Sequence, residues 1–242
     1  MDTVTSALQA SAANINQGVG AHLKRNYDQV LSSYSRAFEL LGHILPNRHG
    51  TLLAEGIHEY IDSRHSFCDS ISRQLSQDIS RPLLIDSLEL KQGRCGPKQM
   101  SLVLMYNAGI LFRQLGEQHR AVEYFKLALK MLASEKAVAA LPSFVLAAQY
   151  NAAEALHDMG SNQEAVHTCI QALAITRSAR GSVPDLLIAR LCSGLGNILF
   201  KIDLLDEAHV VRSESLVIYK TWLECQNCGK GEDEFAFCAP SA

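Results

Sequence analysis

The sequence predicts an all-α chain: a solenoid of stacked helical hairpins with one insertion after the first hairpin. Three observations predict it. The first is a ladder of small residues and one aromatic, Gly109, Gly116, Ala121, Phe125 and Ala128, spaced 7, 5, 4 and 3 apart. It returns as Ala153, Gly160, Ala165, Cys169 and Ala172, more weakly as Gly196, Asp203, Ala208, Arg212 and Ser215, and most faintly as Gly18, Arg25, Val30, Tyr34 and Ala37. The second is apolar spacing of three and four, one face of a helix, between the rungs. The third is composition: 48% hydrophobic and 19% charged residues with six prolines fit a folded, mostly helical chain.

Each element follows in order. Residues 1–224 read as one repeat domain, with copies near 11–44, 102–135, 146–179 and 189–222. Residues 45–101 read as an insertion. Leu53, Ile57, Ile61, Phe67, Ile71 and Leu75 have helical spacing there, and residues 81–90, bracketed by Pro82 and Gly93, look extended. In the second copy Leu104, Ala108, Leu111 and Phe112 share one helix face, and Gly116 ends that helix. Ala121, Val122, Phe125, Ala128, Leu129 and Leu132 form the apolar face of its partner. Gly109 and Ala121 are expected where the two helices cross, because a larger side chain would hold the backbones apart. Phe125 is expected to fill the space between one hairpin and the next. Pro142 and Pro184 precede new first helices, where proline is tolerated. The helical period lapses after Trp222, and residues 225–242 read as a flexible tail in which Phe235 and Phe237 are available to dock on the last helix.

The ladder resembles the tetratricopeptide repeat, a helix–turn–helix unit that stacks into a solenoid. The copies near 102, 146 and 189 lie 44 and 43 residues apart, against about 34 for the standard unit. The excess is expected in a longer second helix and the loop after it, and the spacing is similar to the repeats of kinesin light chains. The resemblance implies a right-handed superhelix whose first helices line a concave groove, and an adaptor or scaffold that binds a peptide or helix of a partner protein. It places Asn16, Asn107 and Asn151, each two residues before a small rung, toward the groove. An amide offers both donor and acceptor, so it can pair with a peptide unit without reading its side chain. Tyr106, Tyr150, Ile110, Arg113, Glu154, His157, Arg190, Ser193 and Asn197 share the expected surface, with Phe200 as a further apolar contact. Arg113 and Arg190 would bias the groove toward an acidic ligand. The rival reading is that the asparagines bond between neighbouring helices. A chaperone-tail clamp of the kind found in this family would need Lys at Tyr106, Asn at Ile110 and Arg at Gly194, so that ligand is not expected.

Other classes fare worse. A net charge of −3 gives no basic excess for nucleic acid. No apolar run reaches membrane-span length, and the first residues lack a secretory pattern, so a cytoplasmic protein is expected. No Walker loop, GxGxxG, GxSxG or HExxH is present, so neither an enzyme nor a cofactor is expected. His58 and His65 on one helix read as a solvated face, and nothing supplies a base for Cys95 beside Arg94. Among seven cysteines, Cys225 and Cys228 form one zinc-like knuckle with Cys238 as a third thiol, but no second knuckle follows. The alternative function is a self-associating structural protein whose groove is filled by its own insertion. Leu216, Val217, Ile218, Tyr219 and Trp222 make the final helix unusually apolar for a cap and leave a homo-oligomer open. On the peptide reading, changing Asn107 and Asn151 together to alanine should weaken binding without altering melting.

Overall fold

A computed structural model of the chain describes residues 3–44, 65–86, 88, 90, 95–132, 141–178, 181 and 183–227. Among these residues the helices are α1 (Thr3–Leu23), α2 (Tyr27–Ile44), α3 (His65–Gln77), α4 (Pro97–Gln114), α5 (Gln118–Met131), α6 (Pro142–Asp158), α7 (Asn162–Ser178), α8 (Asp185–Lys201) and α9 (Leu205–Asn227). No strand occurs among the described residues. Helices α1/α2, α4/α5, α6/α7 and α8/α9 form four hairpins. Packing of α2 on α4, α5 on α6 and α7 on α8 stacks them in chain order, so the first hairpin sits directly on the second despite the insertion. The architecture is an all-α solenoid.

The ladder has a physical cause at each rung. Its second rung is the turn. Arg25, Gly116, Gly160 and Asp203 all have positive φ, at 56°, 78°, 77° and 66°. Just after each, the N–H of Asn26, Glu117, Ser161 or Leu204 donates to the carbonyl of Ala21, Phe112, Leu156 or Leu199 at 2.9–3.0 Å. All four hairpins thus turn through one Schellman motif, which satisfies carbonyls left open at the helix end.

The first and fourth rungs meet where the helices cross. A Cβ on Gly18 would collide with the Tyr34 ring, and one on Gly109 would stand 2.6 Å from Phe125 Cε1. In the third hairpin the rungs are Ala153 and Cys169, both fully buried: where the first helix carries a methyl, the second carries a smaller side chain. Phe125 therefore lies within its own hairpin rather than between hairpins. Tyr106 makes the link to the next unit, with its ring 5.8 Å from Phe125 and 5.2 Å from Phe144 of α6.

Other expectations need adjustment. In the second hairpin α4 starts at Pro97, before the repeat's expected start at 102, and α5 has only 14 residues, so the second helix does not carry the excess; residues 133–140 of the loop expected to share it lie outside the described residues. Helix α9 runs on to Asn227, past the point where the spacing lapses. Within the insertion, α3 buries Ile71 and Leu75 and packs on α6 and α8. Ser72 also donates to the Ser143 hydroxyl at 2.9 Å. Residues 82–86 are extended, but the Leu90 N–H donates to the Asp86 carbonyl at 3.1 Å, so a helical turn replaces the extended run predicted to residue 90. Leu53, Ile57, Ile61, Phe235, Phe237, Cys228 and Cys238 lie outside the described residues. No described helix is long and apolar enough to cross a membrane.

Candidate peptide-recognition site

The first helices of all four hairpins touch one stretch of chain, the end of α3 and the extended run after it. The order is reversed: the stretch meets α8 first and α1 last. Arg190 of α8 donates to the carbonyls of Ser76 and Gln77, where a cation also suits the C-terminal end of α3. Asn151 of α6 donates to the Ile79 carbonyl at 2.7 Å, and the Tyr106 hydroxyl donates to the same oxygen.

Three side-chain amides then clamp three consecutive residues. Asn107 accepts the Leu83 N–H at 2.6 Å and donates to the Leu83 carbonyl at 2.8 Å. Gln74 of α3 accepts the Leu84 N–H at 2.7 Å and donates to its carbonyl at 3.1 Å. Asn16 does the same for Ile85, both bonds at 2.8 Å. Each amide plays the part of a peptide unit in a neighbouring strand, so an extended backbone is satisfied without any sheet. Successive residues of an extended chain face opposite ways. Leu83 and Ile85 are accordingly buried at 1% and 3% exposure, whereas Leu84 between them is 45% exposed.

The expected site residues fall into two groups. Asn16, Asn107, Asn151, Tyr106 and Arg190 hold the segment at residues 76–85. Arg113 stands behind Asn151, donating to its Oδ1 at 2.7 Å and pairing with Glu154, so both of the arginines expected to attract an acidic ligand are engaged within the chain. Ile110 is core. Tyr150 packs on Gly194 of the next first helix, where a Cβ would collide with its ring. Burial and the neighbouring Glu154 hold its phenol well above the usual range. Burial, then the charge of Asp78, does the same for Tyr106, which stays a donor. Asn197 accepts from Arg212 at 2.7 Å inside the last hairpin. Gln74 was missed by the sequence reading. Its role depends on α3 lying against the first-helix face, which no spacing signals. Among the described residues no cluster of three or more His, Cys, Asp or Glu side chains is placed to hold a metal ion.

Four hairpins with a shared turn, a shared crossing and amides aimed at an extended backbone define a helical-repeat protein of the protein-interaction class. The tetratricopeptide repeat family model matches residues 103–131, which is the last two thirds of α4 and all of α5. The second hairpin is thus similar to a tetratricopeptide repeat, and the other three hairpins share its turn and crossing. No curated protein and no solved structure matches it.

Proposed function

We propose that this chain is a protein-interaction module whose first-helix face recognises an extended peptide backbone, and that its own residues 79–85 hold this site until a partner segment takes their place. The observation that supports the reading is the succession of amide clamps on Leu83, Leu84 and Ile85. Because the clamps bond only main-chain atoms, any extended segment with aliphatic side chains at alternate positions meets the same hydrogen bonds. Selectivity lies in the apolar sites now filled by Ile79, Leu83 and Ile85.

The test is fluorescence anisotropy with a labelled peptide of residues 76–88. Ile85→Ala should loosen the internal segment and let the peptide bind, and adding Asn107→Ala should abolish that binding. Circular dichroism confirms that each variant keeps its helices. A folded Ile85→Ala protein that ignores the peptide at high concentration overturns the reading.

The second reading, a structural protein closed by its own insertion, draws on the burial of the same segment. Burying Ile79, Leu83 and Ile85 stabilises the docked state by roughly 1.5–3 kcal/mol per side chain, which opposes displacement. Hydrogen exchange separates the two. Under the first reading the Leu83 amide exchanges through local opening; under the second it exchanges only with global unfolding.

A further inference from the structure

The stack ends on an open seat. Tyr106 and Tyr150 sit three residues before the first rung of their hairpins, and each touches the next first helix, at Phe144 and Gly194 respectively. The third member of that series is Ser193. It lines a cleft of about 420 Å³ between α8 and α9, with Leu186, Ala189, Arg190, Leu216, Tyr219 and Trp222. In the two preceding hairpins the seat is taken by α6 and by α8. Here Leu216 is 70% exposed and Tyr219 43%. The opposite end of the stack is more polar, with Val4, Leu23 and Leu31 as its scattered exposed apolar residues.

We propose that residues 232–238 of this same chain occupy the cleft. The sequence after Asn227 is Cys228-Gly-Lys-Gly-Glu-Asp-Glu-Phe-Ala-Phe-Cys238. Gly229 and Gly231 allow a reversal of direction without Cβ strain. Measured back from the end of α9, Tyr219 and Leu216 lie about 12 and 17 Å along the helix. Counted from Gly231 in extended conformation, Phe235 and Phe237 reach about 13 and 20 Å. The two rings therefore arrive level with the two exposed apolar side chains. Being two residues apart, they also share one face of an extended segment. The acidic run Glu232-Asp233-Glu234, about 3–10 Å from Gly231 on the same count, comes in beside Lys220, about 10 Å back along α9. The occupant is thus a short acidic-then-aromatic strap. This inference is independent of what the first-helix face binds.

Trp222 lines the cleft and is the chain's single tryptophan, so its fluorescence reports the cleft alone. The experiment compares the full chain with a chain ending at Asn227 and with the full chain carrying Phe235→Ser and Phe237→Ser. Both altered proteins should show red-shifted emission and stronger acrylamide quenching at unchanged helicity. A synthetic peptide of residues 228–242 should reverse both effects in the shortened chain, while its doubly serine-substituted form should not. Added salt should weaken the rescue by screening the acidic arm. Identical emission from full and shortened chains overturns the proposal. So does emission that shifts blue with protein concentration equally in both, because a second copy would then be the occupant.

Discussion

Gly109 and Phe125 face each other across the second hairpin so closely that a methyl on the glycine would stand 2.6 Å from Cε1 and 2.8 Å from Cζ of the ring. Gly109→Ala should therefore destabilise the chain by about 1–3 kcal/mol through overpacking, partly offset by up to about 1 kcal/mol of helix propensity. Phe125→Leu in the same protein should recover part of the loss, since the third hairpin pairs Ala153 with the smaller Cys169. Urea unfolding of the two single variants and the double variant gives the coupling. Additive losses would mean that the two positions do not share the crossing.

The turns make a second prediction. Arg25 and Asp203 occupy the left-handed conformation that glycine occupies at 116 and 160. Changing either to glycine should stabilise the chain by about 1 kcal/mol. The gain should be smaller at Asp203, because aspartate tolerates this region better. Gly116→Ala should destabilise through backbone strain alone, since a Cβ there meets nothing within 4 Å. Melting temperatures check all three.

Asn107 and Asn151 are fully buried, so their loss must be felt in stability as well as in binding. Asn107→Ala leaves the Leu83 N–H and carbonyl without this partner, and each buried unsatisfied group costs about 1–3 kcal/mol. The unaltered melting expected from the sequence is thus replaced by a clear drop. Gln74→Ala should cost less, because its bonds to Leu84 lie in an exposed setting. Denaturant midpoints with hydrogen exchange at Leu83 and Leu84 test the order.

Burial holds the His22 imidazole below its ordinary value of 6.5, with the Gln114 side chain offsetting part of the effect. The unfolded chain therefore takes up this proton more readily than the folded one. Its contribution to stability is in place above pH 6.5 and is lost as pH falls through the lower folded-state value. His22→Phe should flatten that acid-side slope in a series of melts. An unchanged slope would assign it to other groups.

Cys169 is pushed up to about 12, by burial first and by the Glu154 charge second. It should resist thiol reagents at pH 8 in the folded protein and react in urea. The sign at alkaline pH is the reverse of the His22 case: the unfolded chain gives up this proton first, so stability should decline as pH rises from about 9 toward 12. Mass spectrometry of the alkylated protein locates the protected thiol.

Much of the fold was legible because its causes are local. The spacing from Gly109 to Gly116 to Phe125 records the length of one helix, the need for a left-handed residue and one close crossing, all set within twenty residues. Even Arg25 and Asp203, the wrong residue types for their conformation, could be placed by counting from the other copies. The candidate site was legible only in part. Asn16, Asn107 and Asn151 could be singled out by their shared position, but their partner could not, because Leu83 and Ile85 carry no mark of which helix they will meet. Phe125 was read as a spacer between hairpins and Tyr106 as a groove residue. Phe125 fills its own hairpin instead, and Tyr106 both holds the Ile79 carbonyl and bridges to the next hairpin; the spacing does not say which way each ring turns.

By itself, then, the sequence determined that this chain is a stack of helical hairpins and where each one turns, because those features depend on periodicity and on backbone conformation a few residues at a time. Only the tertiary structure decided what lies on the first-helix face. Hydrogen bonds from Asn16 to Ile85 and from Asn107 to Leu83 join residues far apart in the chain, and a main-chain amide offers the same donor and acceptor wherever it occurs. Geometry, not residue type, selects which of them an asparagine will hold.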